Sequence, residues 1–428
     1  MRKPDQDAVY RKIALRLMPF LLACYVIAQI DRFNISFAKL QFLGDLRLND
    51  AIFGFAGSFF YVGFMAFEVP SNLLLARVGV RKILSSLMVG WGAVTCLLMF
   101  ARNDLDLYVL RFLLGATQAG FLPGVIFYLT LWFPDRLRGR ANALLITGIP
   151  MAGIVGGPLA GWIMENMQGL HDLRGWQWLF LLEGIPAILL GMTAYVFLDN
   201  DPASSAWLSA SEKRAMLNER GAGQARLGVK NSETLWAVVR DFKIWQLGLI
   251  YFGYFCSLNA VVLWSPTVLA MVSEKSVGLV GWLSGLVAIL STIGMIAIGL
   301  SSDHFKERYW HVGVCGLIAA GCLLLLPLAA KSVGLTMVLL ILAATGVYTV
   351  LGLFWTIPGA YLESKAAAGG IALISTFGAF GGVVSPALIG WLKVKTESLY
   401  VGLSTVAVLL VVSMVALILS GPSAGARA

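Results

Sequence analysis

The sequence predicts an all-α integral membrane protein with twelve transmembrane helices in two pseudosymmetric six-helix bundles. Three observations carry this reading: an apolar excess that no soluble core could hide, twelve apolar runs of spanning length, and a helix pattern that recurs halfway along the chain. Of the 428 residues, 58% are hydrophobic and 13% charged, against about half and about a quarter in soluble domains. A bilayer accommodates that much apolar surface. A globular core of ordinary size does not.

The apolar runs fall approximately at 13–37, 51–75, 82–101, 105–133, 141–165, 176–198, 244–272, 278–300, 311–330, 334–361, 369–392 and 398–420. A spanning helix needs roughly 20 mostly apolar residues. The first run follows a basic N-terminus, is too long for a signal peptide and precedes no small-residue cleavage site, so it is read as a retained span. One long polar stretch, 199–243, holds Glu212, Lys213, Arg214, Glu219, Arg220, Arg226 and Lys230. It separates an N-terminal bundle (1–198) from a C-terminal bundle (244–428) and reads as a cytoplasmic linker.

The halves look related. Helix 5 carries Ala143-Leu-Leu-Ile-Thr147-Gly148, Gly156-Gly157-Pro158 and Gly161-Trp162, and helix 11 carries Ala372-Leu-Ile-Ser375-Thr376, Gly381-Gly382, Pro386 and Gly390-Trp391. The offset is about 229–230 residues. Such repeats place a transporter's site near the midplane, between the two bundles.

The net charge of +9 could suggest nucleic acid, but its placement argues otherwise. With both termini in the cytoplasm, about 22 Lys and Arg lie on the inner side and about 8 outside, as the positive-inside rule requires. The five cysteines sit in apolar stretches without a CxxC pair, so neither a disulfide framework nor a zinc site is signalled. No Gly-rich loop ends in GK[ST], and the three histidines show no HExxH spacing. No catalytic constellation, cofactor or metal site is expected.

Charges inside a membrane are costly and usually functional. Asp31 and Arg32 lie about 18 residues into the first span, and Arg111 lies in the outer half of helix 4. An aspartate beside an arginine can exchange a proton when its partner changes, and a guanidinium fork matches a carboxylate. Asp31 is the candidate proton site and Arg32 and Arg111 are candidate anion partners; the alternative is a structural ion pair. Gln118, about two turns from Arg111, shares its face and can bind a carboxylate without titrating. Tyr61 and Phe64 on helix 2 line the same path, followed by Glu68, read as a gate residue. Glu183 is read as structural. In the second half the polar candidates are Tyr251, Tyr254, Asn259, Trp355, Tyr361, Ser375 and Thr376, any one of which can instead be a helix–helix hydrogen bond.

These motifs resemble the major facilitator superfamily. Asn72-Leu-Leu-Leu-Ala76-Arg77-Val-Gly79-Val-Arg81-Lys82 is similar to its GxxxDRxGRRK loop, with Ala76 in place of the aspartate and Asn72 in place of the first glycine. Asp303 after helix 8 keeps the acid of the second copy. Arg111 to Gly120 resembles the helix 4 motif, and Gly157-Pro158 the helix 5 motif. More narrowly, Ile30-Asp31-Arg32-Phe-Asn34, Phe67-Glu68-Val-Pro70-Ser71-Asn72, Trp132-Phe-Pro134 and Gly175-Trp-Gln-Trp178 through Glu183-Gly184 resemble the anion:cation symporter branch and its tartrate and phthalate permeases. That resemblance implies a monomeric bacterial inner-membrane importer of a small carboxylate with protons. It maps proton transfer to Asp31 and substrate or gating cations to Arg32 and Arg111; the candidate gate residues are Glu68, Arg77, Arg81 and Asp303. The branch's helix 4 glutamate falls on Gln118 and its helix 11 asparagines on Ser375 and Ala379, which puts the proton count and the pocket's hydrogen bonding in question. The other readings are a proton-uncoupled exchanger or uniporter and a non-transporting membrane receptor.

Overall fold

The computed structural model of the chain describes residues 6–214, 216, 240–273, 276–361 and 367–421. Of the expected linker, Glu219, Arg220, Arg226 and Lys230 lie outside the described residues. The described residues contain twelve helical spans apolar and long enough to cross a membrane. In the first half these are α1 (Gln6–Phe33) with α2 (Ile35–Asp45), α3 (Asp50–Val78), α4 (Val80–Leu98), α5 (Asp104–Gln118) with α6 (Phe121–Trp132), α7 (Asp135–Ile146) with α8 (Gly148–Asn166), and α9 (Gly175–Phe197). In the second half they are α10 (Phe242–Ser273), α11 (Val277–Phe305), α12 (Tyr309–Ala329), α13 (Val333–Phe354) with α14 (Thr356–Tyr361), α15 (Ala367–Thr396) and α16 (Leu399–Ser420). Large apolar side chains also point outward: Val196 and Phe242 are 80% exposed and Leu419 81%. Such residues suit lipid, where every backbone polar group must be satisfied within the helix.

Spans 1, 4, 5 and 10 are each broken in two, and the breaks have a local cause. Pro123, Pro150 and Pro358 each lie three residues beyond a break, at Gly120, Thr147 and Trp355 respectively. A proline lacks the N–H for the carbonyl four residues back, and its ring clashes with that carbonyl. The helix therefore resets one residue later. Span 1 breaks at Asn34 without a proline; there the Ser36 hydroxyl donates to the Phe33 carbonyl at 2.6 Å. Asn34, Thr147 and Trp355 all border the central cavity, which is where irregular backbone is tolerated in a membrane protein.

The two halves meet unequally at their two ends. On the side away from the N-terminus, α3 packs on α15 and α8 on α11 through glycines. A Cβ on Gly54 would collide with the Pro386 carbonyl, one on Gly390 with the Asp50 carbonyl, and one on Gly281 with the Gly157 carbonyl. Between helices in lipid, close backbone approach replaces the hydrophobic effect as the source of attraction. Only glycine permits it at these three points. On the N-terminal side the halves diverge around a cavity of about 820 Å³ that reaches Ala143 on α7 and Met295 and Ile296 on α11.

Candidate functional site

The cavity's polar centre is built on span 1. Asp31 is fully buried, and three helices hold its carboxylate. Thr95 Oγ1 on α4 donates at 2.6 Å, Gln118 Nε2 on α5 at 2.9 Å, and Asn34 Nδ2, one turn further along, at 3.4 Å. All three partners are neutral, so the carboxylate is bound but not discharged. The ion pair of Asp31 with Arg32 or Arg111 does not form among the described residues. Successive residues of a helix point about 100° apart, so Arg32 leaves the helix in a different direction and lines the cavity.

Phe60 organises the two arginines. The Arg32 guanidinium lies 5.2 Å from the Phe60 ring and 5.2 Å from the Phe64 ring, and the Arg111 guanidinium lies 4.9 Å from Phe60. A desolvated contact of this kind contributes up to about 2 kcal/mol. Arg111 is 1% exposed, and its Nε and Nη1 have no hydrogen-bond partner. Its charge reaches Asp31 through the buried interior rather than through a direct bond. The site thus holds one cation facing the cavity, a second behind an aromatic ring, and one acid between α1, α4 and α5.

The second half supplies the opposite wall. Tyr61 Oη donates to Asn259 Oδ1 at 2.8 Å, joining α3 to α10, while Asn259 Nδ2 donates to the Phe255 carbonyl at 2.9 Å. Tyr251 stacks on Phe354 at 4.8 Å and meets Trp355 edge-on at 5.0 Å. Arg32, Tyr61, Asn259 and Trp355 therefore come together on one cavity, with Phe64 under Arg32 and Gln118 on Asp31. Ser375 and Thr376 do not line it, which corrects the expectation for span 11. The Thr376 hydroxyl donates to the Ala372 carbonyl of its own helix at 2.9 Å. Span 11 meets the Tyr61 ring with Gly382 instead.

Among the described residues, the four expected gate residues do not join the halves in this state. Glu68 is half-buried one turn beyond Phe64 and forms no ion pair among the described residues. Arg77 is exposed. Arg81 binds the Tyr195 carbonyl and takes the Asn200 side chain on its amide, both within the first half. Asp303 pairs with Arg308 at 2.5 Å.

The ion cluster that does join them lies at the other end. Lys39 Nζ lies 3.1 Å from Asp50 Oδ1, and Lys393 Nζ lies 2.7 Å from Asp50 Oδ2. The Lys39 side chain is 2% exposed, and its ammonium sits 3.7 Å above the Trp264 ring and 4.1 Å from that of Phe53. Spans 1, 2, 7 and 11 meet on this one cluster. Ser58 adds a second tie, donating to the Val383 carbonyl at 2.5 Å and accepting from the Ala387 amide at 3.2 Å. Glu183, expected to be structural, instead borders the cavity while 4% exposed.

Comparison with known proteins agrees with this architecture. The family model described as Major Facilitator Superfamily matches residues 21–386. A protein of Agrobacterium vitis named "Putative tartrate transporter" is 39% identical over 422 residues, covering 98% of this chain and 96% of that one. The inner membrane transport protein RhmT of Escherichia coli is 33% identical over 413 residues, covering 96% and 94%. Among solved structures, a bacterial homologue of the human lysosomal transporter Spinster, in an inward-facing and occupied conformation, superimposes with a TM-score of 0.75. It is 18% identical and covers 96% of this chain and 97% of its own, a likeness of fold.

Proposed function

This chain belongs to the major facilitator superfamily, and we propose that it imports a small organic anion together with protons by alternating access between its two halves. The observation that carries the reading is Asp31, a buried acid held by neutral donors beside two guanidinium groups, one of which faces the cavity. When Asp31 is ionised it is the counter-charge of Arg111. When it takes up a proton, that compensation is lost and the site gains a net positive charge suited to an anion at Arg32. An uncompensated charge in the low-dielectric interior costs several kcal/mol. The fully loaded and the empty site can therefore close, while half-loaded forms resist closure.

Tyr61 and Asn259 would orient the anion's polar groups, and Phe64 and Trp355 would wall its body. A carboxylate such as tartrate, phthalate or a related hydroxy or aromatic acid fits this chemistry, and the Agrobacterium vitis relative carries tartrate in its name. Glu68, Arg77, Arg81 and Asp303 would pair across the loop side when it closes. In this reading the protein is a monomer of a bacterial inner membrane with both termini in the cytoplasm, and the open cavity faces the cytoplasm.

The test is uptake of labelled tartrate, phthalate, lactate and a sugar acid into proteoliposomes, with and without an inward proton gradient and with the membrane potential clamped. Accumulation of one acid that needs the gradient supports symport. A second reading, uncoupled exchange or uniport, is favoured by Gln118, whose amide binds Asp31 but carries no proton. Equilibration without accumulation would select it. Specific binding without flux would instead indicate a receptor.

A further inference from the structure

Glu183 sits in the middle of α9 with its side chain on the cavity wall. It is 4% exposed, and neither carboxyl oxygen has a hydrogen-bond partner within geometric reach among the described residues. The groups facing it are few. From α1 come Asp31 and, at the helix break, Asn34. On α4, Cys96 packs against the neighbouring Gly184 and turns its thiol to the Leu181 carbonyl at 3.9 Å. The charged groups of α2 lie at its far end, where Lys39 is held by Asp50 and Asp45 accepts from the Trp176 indole. Glu165 of α8 is also at the far end, against Gly278. Among the described residues no cation pairs with Glu183.

A carboxylate left bare in such a place would cost several kcal/mol. The carboxylic acid does not carry that cost. Asn34 lies by both acids. Its Nδ2 donates to Asp31, while its Oδ1 lacks a partner. The two acids thus flank one amide: Asp31 is surrounded by donors, as an ionised carboxylate requires, and Glu183 is not. Two carboxyl groups coupled at this range do not both ionise cheaply and titrate as a pair.

We infer that Glu183 is a second proton carrier of the transport cycle, working beside Asp31 across Asn34. This rests on the proton-coupled reading above. The conformation seen here is then the half-discharged one: Asp31 has released its proton, and Glu183 still holds its own beside the open cavity. Release gives the proton to cavity water and leaves a carboxylate. Reloading occurs when the other side opens.

The test is the accumulation ratio in proteoliposomes at zero membrane potential, using whichever of labelled tartrate, phthalate or lactate the unmodified protein concentrates. For each unit of pH gradient, two coupled protons give about 100-fold accumulation and one gives about tenfold. The expected result is about 100-fold for the unmodified protein and about tenfold for Glu183→Gln. Equal ratios for the two proteins overturn the role of Glu183 and leave symport standing. Absence of gradient-driven accumulation in the unmodified protein overturns symport itself. If Glu183→Gln transports nothing, labelling of the unmodified protein by dicyclohexylcarbodiimide, located by peptide mass spectrometry, decides. A Glu183 adduct that declines as pH is raised on the cavity side supports a carrier. No adduct, or one indifferent to pH, shows that Glu183 does not exchange its proton and overturns the inference.

Discussion

The two ends of the cavity are closed by different chemistry. At the far end the halves touch through glycine seams and a buried cluster in which one carboxylate, Asp50, serves two cations from different halves. At the N-terminal end the charged groups are satisfied within their own half, as Arg81 is by Tyr195 and Asp303 by Arg308. The closed end therefore cannot open without parting Lys393 of the second half from Asp50 of the first, whereas no ion pair among the described residues joins the halves at the open end in this state. The balance between conformations is then set chiefly at the far end.

The largest expected effect is at Asp31. Asp31→Asn keeps the shape and the acceptor for Thr95 but removes the charge and the titration. Gradient-driven accumulation should fall at least to the roughly tenfold per pH unit that one remaining carrier sustains, while some exchange of labelled against unlabelled acid persists. Full accumulation by this variant would end the proton role of Asp31. Next is Asp50→Asn, which strands a buried ammonium. Removing one partner of a buried pair typically costs about 3–5 kcal/mol, and the state that hydrates Lys39 should gain. A cysteine at cavity-lining position 258 (Leu258→Cys) should then react faster with a membrane-impermeant maleimide added from the far side. An unchanged rate would mean that the cluster does not hold that end shut. A smaller shift in the same direction is expected of Gly390→Ala, whose new methyl group meets the Asp50 carbonyl. Overpacking costs about 1–3 kcal/mol, and the same labelling assay reads it.

The twelve spans were legible because apolar length is a local property of the sequence. Asp31, Arg32 and Arg111 were legible for the same reason, as charges within apolar runs. The helix breaks went unread although Pro123, Pro150 and Pro358 marked them, because prolines elsewhere, such as Pro266 in α10, leave their helices continuous. The Tyr61–Asn259 bond joins residues 198 apart, so both were named as candidates but their pairing had no local signature. Lys39 fell just beyond the expected end of the first span at 37. The helix runs on to Asp45 and carries that charge into the interior. Ser375 and Thr376 were misplaced because the rotation of α15 about its own axis is fixed by its glycine contacts with α3 and α10, which polarity alone does not reveal.

The smallest effect lies outside the membrane, where the comparison can be sharpened on the open side. Lys12, on α1, donates to Glu212 of the linker at 3.0 Å, and the Ser209 amide donates to the same carboxylate at 2.7 Å. Burial alone would raise the Glu212 carboxyl; the Ser209 amide and hydroxyl and the Lys12 ammonium outweigh it and hold the group below its usual range. A depressed folded-state value means that this tie contributes fully above the unfolded carboxylate value of about 4.3 and is lost as pH falls through the lower, folded value. The ammonium is 47% exposed on its side chain, so the contribution is within about 1 kcal/mol. Glu212→Gln should lower the melting temperature slightly at neutral pH and converge with the unmodified protein in acid. A difference that persisted below the carboxylate range would show that the tie rests on the shape of the linker turn rather than on the charge of Glu212.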